Sequence, residues 1–94
     1  MFRIVVRPRA AAQVRRLRRV DAVAVLDGIE THLRHEPDRI SRSRIKRLRG
    51  PQAATYRLRV GDFRVFYDVL ETEVVVIAVL HKRETAQLYQ GEEP

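Results

Sequence analysis

Arginines recur at alternate positions around one tight turn: the stretch TYRLRVGDFRVFY, residues 55–67, carries Arg57, Arg59 and Arg64 about the pair Gly61-Asp62. A guanidinium stays charged near neutrality and presents a planar fork of N–H donors that suits phosphate oxygens. A Gly-Asp pair between two alternating segments reads as the two-residue loop of a β-hairpin. Counting outward from it sets Val60 opposite Phe63, Arg59 opposite Arg64, Leu58 opposite Val65, Arg57 opposite Phe66 and Tyr56 opposite Tyr67. Tyr56, Leu58, Val60, Phe63, Val65 and Tyr67 then share an apolar face, and the three arginines share the other. Like charges directly opposed across a ladder cost from under 1 kcal/mol in water to roughly 3 kcal/mol in a partly shielded groove. An anion that bridges them turns the repulsion into attraction. A register slip of one residue would instead bury all three.

A second group of reactive side chains follows the longest apolar run, Val74 to Leu80: His81, Lys82 and Arg83 in succession, then Tyr89. Cations stabilise charge developing on a phosphate, His81 or Tyr89 can shuttle protons, and RNA supplies its own nucleophile in the 2′-hydroxyl, so the set suggests metal-free phosphodiester chemistry. No metal or cofactor is expected: the carboxylates nearby, Asp68 and Glu84, are scattered, and the chain has no cysteine. His32 and His35 stand at a metal-compatible spacing with no third ligand in view and are expected as surface histidines.

Lysine and arginine number 19 against 12 acidic residues, a net charge of +7, which points to an anionic partner, nucleic acid foremost. Asp38 to Gly50, DRISRSRIKRLRG, holds six basic residues with little apolar periodicity before the turn signal Gly50-Pro51. It reads as a basic loop, either a solvated connection or a flap that tracks phosphates through Arg44, Lys46, Arg47 and Arg49, with Lys82 contributing from the strand end. A membrane partner is not expected. The basic first helix offers only Val14 and Leu17 among alanines as anchors, and the longest apolar run, seven residues, falls far short of the about 20 that span a bilayer. Ile4 to Val6 is too short for the core of a secretory signal, so a cytoplasmic location is expected.

These residues need a scaffold, and 94 residues with 45% apolar content allow one domain, 1–94. Phe2 to Val6 reads as a strand, and Pro8 opens a helix to about Arg19 with Ala10, Val14 and Leu17 inward. Asp21 is the expected N-cap of a second helix, with Ala22, Val25, Leu26, Ile29 and Leu33 in one stripe, ending by Glu36 because Pro37 follows. Thr55 to Val60, Phe63 to Leu70 and Val74 to Leu80 read as strands, the last central because it is apolar at every position. The expected architecture is α+β: two antiparallel N-terminal helices on a small, mainly antiparallel twisted sheet, in the order β-α-α-β-β-β.

The stretch YRLRVGDFRVFYDV, followed by VVVIAVLHKRETAQLY, closely resembles the RelE/ParE superfamily of toxins from type II toxin–antitoxin systems, with the RelE branch favoured. That resemblance implies a messenger-RNA interferase, a ribosome-dependent endoribonuclease in which the 2′-hydroxyl attacks the adjacent phosphate. It places the catalytic groups on Arg57, Arg59, Arg64, Arg83 and Tyr89. It also implies a cognate antitoxin that wraps the toxin and masks or distorts the basic face, with operator DNA bound only through that complex. Where the best-matched relatives have lysines, this chain has Arg57 and Arg59, which cannot serve as general bases; His81 is the substitute, and otherwise the rate rests on electrostatics and positioning. The ParE branch implies instead a non-nuclease inhibitor of DNA gyrase, and a third alternative is an inactive remnant that binds only antitoxin and operator.

Overall fold

The computed structural model describes residues 1–50 and 54–85 of the chain. Five strands, β1 (Arg3–Val6), β2 (Ile45–Arg47), β3 (Tyr56–Val60), β4 (Phe63–Val69) and β5 (Glu73–His81), form one sheet in the order β1-β5-β4-β3-β2. β1 runs parallel to β5, and every other pairing is antiparallel. Between β1 and β2 lie α1 (Pro8–Arg15) and α2 (Arg19–Leu33), and a short 3₁₀ turn, Lys82–Glu84, follows β5. The α+β architecture is as the hydrophobic patterning predicts, with one strand more.

That extra strand is β2, inside the segment read as a basic loop. Three residues are too few to establish an alternating pattern, and pairing against the outer edge of β3 decides the matter: Ile45 lies opposite Leu58, Lys46 opposite Arg57 and Arg47 opposite Tyr56. Ile45 and Leu48 are both buried, 5% and 8% exposed, because they enter cores on opposite sides of the sheet.

α1 is shorter than its apolar spacing suggests, and α2 is displaced toward the N-terminus. α1 stops at Arg15, and α2 begins at Arg19 with Arg18 as its N-cap rather than Asp21. Asp21 sits instead in the first turn, where a carboxylate favours the positive end of the helix dipole, and accepts from Arg18 Nε at 3.2 Å. α2 ends at Leu33, before the residue ahead of Pro37. Leu26, expected in the inward stripe, is 48% exposed and stands with Val20 and Val23 on the outer side. The stripe that packs is Val25, Ile29 and Leu33, with Ala22 at its margin.

α1 packs on β5 and α2 on β3 and β4, so Ala10, Val14, Val25, Ile29 and Leu33 close over Leu58, Val65, Tyr67, Val74, Val76 and Val79. Two close fits fix this layer. Gly28 lets α2 approach β3 so nearly that a Cβ added there would stand 2.7 Å from Val60 Cγ2. Tyr67, fully buried, donates its hydroxyl to the Pro37 carbonyl at 2.6 Å and stacks on Tyr56 with ring centroids 5.6 Å apart. Burial, and then the proximity of Tyr56 and Asp38, pushes the Tyr67 phenol well above the ordinary tyrosine range.

β5 is flanked by β1 and β4, as an all-apolar strand requires, although Val75 and Ile77 on it are only half-buried. β1 reaches no further along β5 than Val76. The Val79 N–H beyond it is taken by Gln13 Oε1 of α1 at 2.7 Å, which pins the helix to the sheet. A bulge separates the pairs Phe66–Ala78 and Tyr67–Val76, leaving Ile77 as the extra residue.

Candidate anion-binding face

The hairpin register is the one that the turn predicts, residue for residue: Val60–Phe63, Arg59–Arg64, Leu58–Val65, Arg57–Phe66 and Tyr56–Tyr67. Gly61 adopts φ +57°, the left-handed conformation a tight turn needs and glycine supplies without strain. Arg57, Arg59 and Arg64 therefore share the side of the sheet away from the helices. Lys46, cross-strand partner of Arg57, joins them from β2. Beneath lies a second, small core of Leu48, Ala54, Phe66 and Ala78, with Leu80 and Ile77 packed against it. The face is thus a row of cations around an apolar floor.

The three arginines are held differently. Arg59 is exposed, while Arg57 is half-buried with its Nε withdrawn from solvent. Arg64 curls toward the turn, donating from Nη1 to the carbonyls of Gly61 and Phe63, each at 3.0 Å. These bonds orient the guanidinium without cancelling its charge. Lys82 extends the turn end of the face: its N–H donates to the Asp62 carbonyl at 2.7 Å and its Nζ lies 3.4 Å from Asp62 Oδ1.

His81 is not brought to this face. Leu80 pairs with Arg64 and His81 with Phe63, so alternation turns the imidazole toward the helix side, where it meets the Phe63 ring edge-on at 5.5 Å. Its Nδ1 accepts from the Arg83 backbone N–H at 3.1 Å, and its own backbone N–H donates to Glu84 Oε1 at 2.8 Å. The imidazole thereby caps the 3₁₀ turn that carries Arg83, whose Nε lies 3.5 Å from the same ring nitrogen. A ring nitrogen that accepts carries no proton, so the geometry selects the Nε2–H tautomer. Tyr89 lies outside the described residues.

The cations of residues 44–49 separate by the same alternation. Lys46 faces the arginines. Arg47 turns to the helix side, its guanidinium carbon 6.0 Å from the centroid of the Tyr56 ring. Arg49 is exposed beyond Leu48. Arg44 sits where β2 begins, its carbonyl accepting from the Arg59 N–H at 2.8 Å, and its side chain lines concavities on both sides of the loop 41–45. Burial, with Arg44 adding repulsion, holds the His32 imidazole below the ordinary histidine range. Among the described residues no three His, Cys, Asp or Glu side chains gather as a metal site, and no helix is long and apolar enough to cross a membrane.

The position of Lys46 on the arginine face escaped the sequence reading. The missing signal was the strand assignment of residues 45–47, without which side alternation could not be counted.

Comparison with known proteins bears on the family and the fold. The family described as "ParE toxin of type II toxin-antitoxin system, parDE" matches residues 4–86. Among solved structures, the chain is similar to one in the RelBE2 toxin–antitoxin complex of Mycobacterium tuberculosis, with 27% identity, a TM-score of 0.74, and coverage of 85% of this chain and 96% of that one. It shares its fold with a chain of the archaeal RelE–RelB complex of Pyrococcus horikoshii, at 20% identity, a TM-score of 0.70, and coverage of 86% and 94%. The RelB–RelE complex of Methanococcus jannaschii gives 17% identity, a TM-score of 0.67, and coverage of 88% and 95%. No curated protein matches the sequence.

Proposed function

The chain belongs to the ParE toxin family of type II toxin–antitoxin systems, and from that premise we propose that it is a messenger-RNA interferase, a metal-independent endoribonuclease that cuts messages on the ribosome and is held inactive by a cognate antitoxin. The observation that carries this reading is the placing of Arg57, Arg59, Arg64 and Lys46 on one face of the sheet, with Arg59 directly opposite Arg64. A folding-only sequence has no reason to oppose two guanidiniums across a ladder, whereas a phosphodiester gains from both.

In the proposed reaction the 2′-oxygen attacks the adjacent phosphorus, the bond from phosphorus to the 5′-oxygen breaks, and a 2′,3′-cyclic phosphate and a 5′-hydroxyl result. Water takes the proton of the 2′-hydroxyl and returns one to the departing 5′-oxygen. Arg57 and Arg59 do not lose protons near neutrality, and His81 uses Nδ1 to cap the turn that carries Arg83. The chain's contribution is therefore electrostatic: Arg57, Arg59 and Arg64 hold the phosphate and neutralise charge as it develops, and His81 positions Arg83.

Primer extension on ribosomes programmed with a defined message tests the reading. Arg64→Ala and Arg83→Ala are each expected to reduce cleavage roughly 10²- to 10³-fold, the cost of removing one preorganised donor to developing charge. Undiminished cleavage in both variants would reject the assignment. The ParE family match favours a second reading, inhibition of DNA gyrase without cutting. Inhibited supercoiling with messages left intact would decide for it.

A further inference from the structure

Beside the last turn of α2 lies a concavity of about 290 Å³, lined by His32, His35, Glu36, Arg39, Ser41 and Arg44. A second, of about 240 Å³, is lined by Arg42, Lys46 and Arg57 and shares Ser41, Arg44 and Ile45 with the first. The loop 41–45 is the wall between them, and Arg44 belongs to both.

We propose that the His32/His35/Arg44 pocket is a second phosphate subsite, into which a strand held on the arginine face continues after passing the β2 edge. This extends the nucleic-acid reading above and rests on it. The first support is continuity of charge. From Arg64 and Arg59 the cations run through Arg57 and Lys46 to Arg42 and Arg44, and Arg44 is bonded through its carbonyl to the Arg59 backbone. The second is construction of the loop. Ser41 Oγ accepts from the N–H groups of both Arg44 and Ile45 at 3.0 Å, and the Ser41 N–H donates to the Ile45 carbonyl at 3.0 Å. The hydroxyl spends its lone pairs on the loop and keeps its proton to donate to a ligand, while Arg42 and Arg44 are exposed. The third is the donor set. Two imidazoles, a hydroxyl and a guanidinium around a cavity of this size suit a tetrahedral oxyanion, and no described carboxylate forms an ion pair with Arg44.

Two features oppose an anion here and are outweighed. Glu36 lines the pocket, but its charge is engaged by Arg39 at 3.0 Å. The C-terminal carbonyls of α2 add about half a negative charge, and the Arg34 carbonyl among them is occupied by the Phe2 N–H at 2.7 Å. Against these stand the guanidinium of Arg44 and the ring N–H groups of His32 and His35 that line the same concavity.

The test follows the ring resonances of His32 and His35 by NMR during titration with inorganic phosphate, and then with single-stranded RNA of about four and about twelve nucleotides, the span of site sizes for single strands. Phosphate and the longer strand are expected to shift both rings, and the shorter strand, satisfied by the arginine face, to leave them still. The variant His35→Gln/Arg39→Gln, at two exposed positions, is expected to bind the longer strand roughly tenfold more weakly, with a salt slope shallower by about 0.7, and the shorter one unchanged. Rings that phosphate and the longer strand leave unmoved overturn the subsite, as does equal loss for both strand lengths. Rings that respond to phosphate in a protein that binds neither strand keep an anion pocket, but overturn its role as part of a strand path and fail the nucleic-acid reading itself.

Discussion

The opposition of Arg59 and Arg64 has a measurable consequence for stability. With two guanidiniums roughly 6 to 8 Å apart, Coulomb's law gives about 0.6 kcal/mol in water and roughly 2.5 kcal/mol at an effective dielectric of 20. Arg59 is exposed and Arg64 half-buried, which puts the value toward the lower end, about 0.5 to 1 kcal/mol at low salt. Arg59→Gln should release most of that and raise the melting temperature by about 2 to 6 °C. Arg64→Gln releases the same repulsion but forfeits the bonds to the Gly61 and Phe63 carbonyls, so the single variants are not comparable and the double-mutant cycle is required. Denaturant unfolding of the four proteins should give an unfavourable Arg59–Arg64 coupling of about 0.5 to 1 kcal/mol in 20 mM salt. It should shrink to a few tenths in 1 M salt, where the Debye length falls to about 3 Å. Millimolar phosphate should stabilise the parent protein more than either variant, because only the parent offers both forks. A coupling of zero at low salt, a favourable one, or one indifferent to salt would show that the two charges do not meet, and the argument for an anion between them would fail.

Other consequences follow from the helix-side core. Gly28→Ala gains about 1 kcal/mol of helix propensity but drives a methyl against Val60, at 2.7 Å before relaxation. A net loss of about 0.5 to 2 kcal/mol is expected, and Val60→Ala in the same chain should reduce the penalty of the alanine, read as a denaturant midpoint. Tyr67→Phe leaves the Pro37 carbonyl without the donor it has at 2.6 Å, a loss of about 1 to 3 kcal/mol in chemical unfolding. Because burial raises the Tyr67 phenol, the folded protein retains a proton that the unfolded chain begins to release near pH 10. Stability should therefore be complete below that pH and fall as pH rises beyond it, and Tyr67→Phe should flatten that decline; equal alkaline slopes in the two proteins would contradict the assignment.

Much of the site could be read without coordinates because a two-residue turn leaves no freedom. Once Gly61 and Asp62 are the loop, the partner of every residue from Tyr56 to Tyr67 is set by counting, and strand alternation sends Arg57, Arg59 and Arg64 to one side. The helices were legible for a related reason, since apolar spacing at Val25, Ile29 and Leu33 recurs with the helical period. Their ends were less so: Asp21 has the chemistry of an N-cap, but the chain has already turned into α2 at Arg19.

What the tertiary structure decided is whatever depended on a neighbour distant in sequence. Residues 45–47 become a strand because the outer edge of β3 is available to them, which places Lys46 with the arginines and Arg47 away from them. The bulge at Ile77 and the pairing of His81 with Phe63 set the side to which the imidazole turns, and no local pattern reports that. Leu26 is apolar but points outward, because a helix surrounded by apolar residues is oriented by the sheet it rests on rather than by its own periodicity. Local sequence specifies alternation within an element; which of its two sides becomes interior is settled only when the elements meet, because only then is there apolar surface to bury.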